Sequence, residues 1–482
     1  MNTSILVAFA TYFLILLTIG LTAHKKQTTD KDFIVGNRSL NFWVIALSAH
    51  ASDMSAWLFM AFPAAIFIGG ISQSWVAFGL MLGMFLNWQF VAKKLRVDTE
   101  ASESYTLSTF FERRFKDSSG FIRVLTAFMS IVFFAAYLSG GLMAMGLLFE
   151  RVFGINYYIG LTVAIVVAVS YTFVGGFTTV AWMDLFQAIF LLIMILLVPI
   201  IAFSHIPGGF SDILEAAKSQ NISMSLFPDF SFTSVIGIVF LILMWGLGYF
   251  GQPHIITKFM GIKNPNHLRN SKYIGMSWMV MTLIAAAAVG FVGIGLYPKG
   301  LDNPELVFVT MVQQLFPAFF AGIILCAVIA ANMSTMDSQM LVCASVISED
   351  VYKRLIRQTA SPKELLLASR ISVVLVGFIS LLIAFNRSST ILATVLYAWT
   401  GLGCAFGPLV LMSLYSKTAN KYGAIAGIVV GGFLAGTWSL INPWITSYDI
   451  PAMIPGFFLS LLSIYVVSNL TRASGTKYVY RT

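Results

Sequence analysis

Leu47-Ser48-Ala49-His50-Ala51-Ser52-Asp53-Met54-Ser55-Ala56-Trp57 is a polar island inside an apolar stretch running from Phe42 to Ser72. A second interruption, Trp245-Gly246-Leu247-Gly248-Tyr249-Phe250-Gly251-Gln252-Pro253-His254, lies in the stretch from Phe232 to His254. Non-helical backbone at membrane depth is tolerated only where it is buried in protein or lines a cavity. Two interrupted helices in matching positions of two halves point to the central site of a secondary transporter. The Gly-x-Gly-x-x-Gly string within the second segment follows no strand, so it does not read as a dinucleotide loop.

Outward from these segments, the 482-residue chain is 58% apolar and only 10% charged. A soluble domain carries roughly 25% charged residues. That composition excludes a soluble enzyme, and it makes the net charge of +9 a matter of membrane topology rather than of nucleic-acid binding. Thirteen stretches are each about long enough to cross a hydrocarbon layer of ~30 Å. They run from Ile5 to Ala23, Phe42 to Ser72, Ser74 to Val91, Val124 to Phe149, Tyr157 to Thr179, Ala181 to Ala202 and Phe232 to His254. The others run from Tyr273 to Leu296, Pro317 to Val346, Ile371 to Phe385, Thr390 to Leu414, Tyr422 to Ile441 and Ile450 to Val467. We number them spans 1 to 13. Span 1 reads as a retained helix rather than a signal peptide, since no Lys or Arg precedes it and no small-residue cleavage site follows.

The expected fold is therefore an all-α membrane protein of thirteen transmembrane helices forming one domain over 1–482. The breaks in spans 2 and 7 suggest inverted repeats from spans 2–6 and 7–11, approximately 42–202 and 232–414. With an outside N-terminus and a cytoplasmic C-terminus, all of the 29 basic residues except Arg151, Lys218, Lys299 and Arg387 fall on the inner side, as the positive-inside rule requires. Cys326, Cys343 and Cys404 sit inside apolar stretches without metal-site spacing and read as buried small hydrophobes. Gly79 and Gly83 on span 3, and Gly423, Gly427 and Gly431 on span 12, form stripes that favour close helix packing. The polar segments 204–231 and 297–316 are long enough for short surface helices.

Of the 20 acidic residues, all but Asp53, Asp184 and Asp337 lie in loops or near span ends. An ionised carboxylate at helix-centre depth costs about 2.5 to 3.5 kcal/mol, and the count places no Lys or Arg at that depth. A bound cation or a proton is the economical counter-charge. Asp53 lies about eleven residues, or roughly 16 Å, into span 2. Ser52 and Ser55 flank it, and a broken helix there frees the carbonyls of Ala51 and Met54, the oxygen ligands that a hard cation takes. On span 9, Ala331, Ser334 and Thr335 share one helical face, which Ser338 continues. Asp337 falls about 120° off that face.

Each of these has a structural alternative. Ser334 and Thr335 can simply bond their own backbone one turn back. Asp184, at the start of span 6, can serve as a first-turn carboxylate stabilised by the helix dipole. His50, Ser52 and Asp53 lie too close along one segment to act as a hydrolase triad, and no Gly-x-Ser-x-Gly turn is present. Tyr249 is set apart from the other aromatics because neighbouring glycines expose it to whatever approaches the break.

Ala51-Ser52-Asp53-Met54-Ser55, the span 7 string, Met333-Ser334-Thr335, Asp337-Ser338-Gln339 and Ser348-Glu349-Asp350-Val351-Tyr352 together resemble the bacterial sodium/proline symporters of the sodium/solute symporter family. The resemblance covers nearly the whole chain. It implies a LeuT-type fold and Na+-coupled uptake of a small solute. It also implies a Na+ site at the carbonyls of Ala51, Met54 and Ala331 and the hydroxyls of Ser334 and Thr335, with Asp53 as the essential carboxylate. Ser55 would lie at the cation and substrate junction, and Tyr137, Trp245, Tyr249 and Pro253 in the substrate pocket beside Ala56. Asp184 matches a position linked to sodium affinity, and Asp337 and Ser338 join it as second-cation or coupling candidates. The chain departs from the family pattern at His50, Ala56, Ala61 and Ala64, where the proline transporters usually carry Gly.

The function expected is therefore secondary active symport of Na+ and L-proline across the cell inner membrane by alternating access. Sodium, proline and the lipid bilayer would be the partners; an enzymatic role, a nucleic acid and an obligate protein partner are not expected. The alternatives are another amino acid, pantothenate or a related small solute, and protons in place of sodium. Those of another class are a channel, which needs a continuous polar path, and a solute sensor, which needs an output domain.

Overall fold

A computed structural model describes residues 3–23, 30–387 and 389–471. Lys25, Lys26, Arg472, Lys477 and Arg481, which the charge count assigns to the inner side, lie outside the described residues. The described chain is helical, with one isolated parallel bridge pairing Leu40 and Ile262.

Eleven described helices are long and apolar enough to cross a membrane, and a twelfth span is the bent pair Phe42–Met54 and Ala56–Gly69, which turns by 68°. Span 5, the remaining member of the expected thirteen, is the helix that runs from Tyr157 to a break at Gly176, with an apolar part at Tyr157–Ser170. The φ of 63° and ψ of 178° at that glycine are non-helical, and span 6 follows as Gly176–Ser204. Span 10 is longer than expected, Pro362–Ala384. Its N-terminus is fixed by Pro362 in the first turn and by Ser361, whose hydroxyl accepts from the Glu364 N–H, a capping arrangement that a hydropathy reading overlooks. The surface segments carry short helices at Phe210–Ser219 and Val307–Leu315.

Both interruptions are real breaks. Span 2 ends its first half at Met54, and Ser55 takes φ 45° and ψ −171°, a conformation that L side chains seldom adopt. Span 7 runs helically from Phe232 to Gly246, tightens over Leu247–Gly251, passes through extended Gln252 and restarts at Pro253.

The glycines explain how these pieces approach. A Cβ on Gly79 would lie 2.6 Å from the Ile242 carbonyl oxygen, and one on Gly83 would lie 2.6 Å from the Gly246 Cα. Span 3 is thus pressed backbone to backbone on span 7. Gly251 meets the backbone of span 11 at Gly403 and Gly407 in the same way. Of the span 12 stripe, Gly423 and Gly427 face Ile464 on span 13 and Gly431 faces the Cys404 backbone, so the stripe packs within the chain. The three cysteines are free and buried.

Gly83→Leu is expected to lower the melting temperature of the purified protein, because overpacking a tight contact typically costs about 1–3 kcal/mol. Gly237→Leu on span 7, where a Cβ meets nothing within 4 Å, should leave it unchanged. Equal melting of the two variants would contradict the packing described.

Candidate cation and substrate site

The break in span 2 is held against span 9 by hydrogen bonds. Ser55 N–H donates to the Thr335 hydroxyl at 3.0 Å, and the Ser334 hydroxyl lies 2.7 Å from the Ala51 carbonyl oxygen and 3.1 Å from that of Ala331. The Thr335 hydroxyl also reaches the Ala331 carbonyl at 3.1 Å. Four of the six cation-site candidates, Ala51, Ala331, Ser334 and Thr335, therefore converge on one point, with Ser55 beside them. Ser334 and Thr335 do make the backbone bonds of the structural alternative, and Ser334 in addition spans to the other helix. Met54 closes the half-helix next to Ser55.

Asp53, 6% exposed, is tied to span 7. Its Oδ2 accepts a hydrogen bond from the Tyr249 hydroxyl at 2.5 Å. One neutral donor does not balance a buried full charge, so the carboxylate remains a site of unmet negative potential facing the breaks of spans 2 and 7. Tyr137 on span 4 is buried, with its ring edge-on to that of His254 at 5.8 Å.

An aromatic box stands over Asp53. Trp245 packs on Trp57 with ring centroids 5.2 Å apart and on Trp399 at 6.1 Å, and Tyr249 meets Trp399 edge-on at 4.9 Å. Trp399 Nε1 donates to the Trp245 carbonyl oxygen at 3.2 Å, and Gln252 Nε2 donates to the Trp399 carbonyl oxygen at 3.0 Å. The buried Trp57 Nε1 has no hydrogen-bond acceptor, so an acceptor from a bound solute would satisfy it. Trp399 was absent from the sequence-based set. Its signal is position: most membrane tryptophans sit at the interfaces, whereas this one sits mid-span ahead of Gly401 and Gly403.

Three expectations need correction. The glycines around Tyr249 do not expose it, since Tyr249 is fully buried and Gly248 and Gly251 serve instead to admit Trp399 and the span 11 backbone. Pro253 is not in the aromatic box. As the first residue of the second half of span 7 it lines, with His254, Thr257, Lys258 and Ser338, a separate narrow cavity bordered by Tyr105–Ser108. Ala56 is buried in the short turn Ala56–Leu58 at the bend of span 2.

The third correction concerns the deep acids. Asp184 is not in a first helical turn; it lies about two turns beyond the Gly176 kink. It also has a cation of its own, because Lys258 Nζ lies 2.9 Å from its Oδ2 and both side chains are buried. A periodicity reading placed Lys258 in the inner loop, whereas the restarted helix Pro253–Met260 carries it back into the protein. The same Oδ2 accepts from Ser48 at 2.6 Å and Ser52 at 3.3 Å, and Ser52 reaches Ser338 at 2.9 Å. Asp337 does face elsewhere, accepting from Thr172 at 2.9 Å. His50 is remote from the box, with its Nε2 accepting from Trp88 Nε1 at 3.1 Å and its ring filling the space over Gly275.

The model of the sodium:solute symporter family matches residues 33–431. The high-affinity proline transporter PutP of Bacillus subtilis (strain 168) is 41% identical, over 95% of this chain and 96% of the relative. The sodium/proline symporter of Escherichia coli (strain K12) is 39% identical over 98% and 94%. Among solved structures, the substrate-bound outward-open state of a Na+-coupled sialic acid symporter superposes with a TM-score of 0.83 at 17% identity, covering 98% of both chains. MhsT in complex with L-phenylalanine gives 0.55 at 12% identity, over 88% of this chain and 97% of that one. Those two likenesses carry the fold, which is LeuT-type, while the family match and the close relatives carry the kinship: this chain belongs to the sodium:solute symporter family.

Proposed function

We propose that this chain is a Na+-coupled L-proline symporter that works by alternating access. The observation that carries the reading is the joining of the span 2 break to span 9 through Ser55, Thr335, Ser334 and the carbonyls of Ala51 and Ala331. These are neutral oxygens of the kind a hard monovalent cation accepts. When Na+ arrives, the Ser334 and Thr335 hydroxyls turn their protons outward and present lone pairs, with Met54 completing the set. The ion then fixes the broken helix.

Asp53 supplies the negative field that draws the cation in, and its Tyr249 partner belongs to the aromatic wall. Cation binding and solute binding therefore act on one joint, and each tightens the other by the same factor. The zwitterion's carboxylate is placed at a half-helix N-terminus, and Trp245, Tyr249 and Trp399 cover its ring, with Ser55, Ala56 and Tyr137 at the junction. The kinship to proline transporters supports proline as cargo. Pro253, on the second cavity, is assigned to the exit path. The chain would act as one transporter domain over 1–482, with repeats near 42–202 and 232–414, an outside N-terminus and a cytoplasmic C-terminus. Asp337, held by Thr172, is assigned to the span 5 to span 9 contact.

Vesicles reconstituted with the purified protein and given an inward Na+ gradient are expected to accumulate radiolabelled proline. Uptake as fast with choline in place of Na+ would refute the coupling. A panel of unlabelled solutes added to the same vesicles tests the cargo, since the Ala56 methyl narrows the bend: proline should compete best, and stronger competition by pantothenate or another amino acid would reassign it.

A further inference from the structure

Asp184 has the surroundings of a cation site. Its Oδ2 gathers the hydroxyls of Ser48 and Ser52, Ser338 joins through Ser52, and its other oxygen, Oδ1, is buried without a partner. Four oxygen-bearing side chains from spans 2, 6 and 9 thus meet one turn below the Ala51 and Ser334 joint. The place a second Na+ would take is filled by the Lys258 ammonium at 2.9 Å. That ammonium also lies 5.4 Å from the centre of the Phe177 ring, so its stem and head are both held. Lys258 comes from the restarted half of span 7, and it lines the inner cavity together with Ser338.

We propose that Lys258 is the resident cation of the Asp184 site, so that this chain carries a single Na+ per cycle and its second cation never leaves the protein. The inference rests on the Na+-coupled reading above and adds the count of ions. A tethered ammonium neutralises Asp184 in every state without drawing on the gradient. Because it is attached to the restarted half of span 7 while Asp184 is on span 6, it also holds the inner end of span 7 against spans 2 and 6. The sodium that leaves the upper joint past Ser52 and Ser338 meets a positive charge at Asp184 and is passed to the cavity rather than retained. Removing the ammonium leaves a carboxylate and three hydroxyls with no counter-charge, which is a set of ligands that Na+ itself can fill.

The test is equilibrium binding of radioactive Na+ to the purified full-length chain, with the ratio of charge to proline moved in vesicles as a second readout. Wild type should bind about one Na+ per chain with a Hill coefficient near one. Lys258→Gln should bind about two, with a Hill coefficient above one and a doubled charge ratio, while the double variant Lys258→Gln with Asp184→Asn should return to about one. Lys258→Arg should stay at one. Two ions on the wild type, or a single ion on a folded Lys258→Gln protein, would overturn the proposal. Should Lys258→Gln fail to fold, the wild-type count and the charge ratio decide it alone. Wild type that binds no Na+ and transports without it would instead sink the coupling itself, a different result from either of these.

Discussion

Asp53→Asn is expected to abolish proline accumulation while the protein is still made and inserted. The carboxylate is buried at the meeting of two broken helices, and its one hydrogen bond comes from the Tyr249 phenol. The amide keeps the shape and can still accept that bond, so the fold should tolerate it. What vanishes is the field. If the cation supplies the counter-charge to a group whose burial costs about 2.5–3.5 kcal/mol, its affinity should fall by roughly a hundredfold. Initial rates of uptake over a range of Na+ concentrations measure this directly. An Asp53→Asn protein with wild-type Na+ dependence would show that Tyr249 alone satisfies the acid and that the ion is held elsewhere.

Ser334→Ala and Thr335→Val should each raise the Na+ concentration for half-maximal uptake, with the two effects of different origin. Losing one oxygen from a charged ligand costs about 1.5–3 kcal/mol, which is roughly a tenfold to hundredfold weaker ion. Ser334→Ala removes the one hydroxyl that reaches both Ala51 and Ala331. Thr335→Val removes a ligand and in addition strands the Ser55 N–H, so its maximal rate should fall as well as its Na+ affinity. Thr335→Ser keeps the hydroxyl and should recover most of both. A Thr335→Val protein whose Na+ dependence is unchanged would leave these hydroxyls with a backbone-bonding role only.

Much of this architecture is legible in the sequence because lipid forces it to be. Apolar runs of fixed length give the spans, and polar or glycine-rich residues inside a run give the breaks at Ser55 and at Leu247–Gly251. The convergence of Ala51, Ala331, Ser334 and Thr335 rests on helical periodicity together with the family resemblance. What periodicity cannot supply is direction after a break. The helix restarted at Pro253 carries Lys258 inward, and a charge that counts as loop in a hydropathy profile becomes the partner of Asp184. Trp399 is hidden for a related reason: its role comes from Gly248, on another span, which leaves room for its ring. The Gly176 break ends span 5 and opens span 6, a boundary that the apolar run alone sets a few residues later, between Thr179 and Ala181.

The two joints of the transporter are built differently. The span 2 break is fastened to span 9 by side-chain hydroxyls, each worth about 1 kcal/mol net, so thermal motion can unfasten it. The span 7 break is interlocked with span 11 through bare backbone at Gly251, Gly403 and Gly407, and close-packed backbone moves as one body or not at all. One junction is a latch and the other a weld. An ion that closes the latch therefore decides when the welded pair is free to tilt, and evolution can retune the timing of the cycle by exchanging a hydroxyl without rebuilding the hinge.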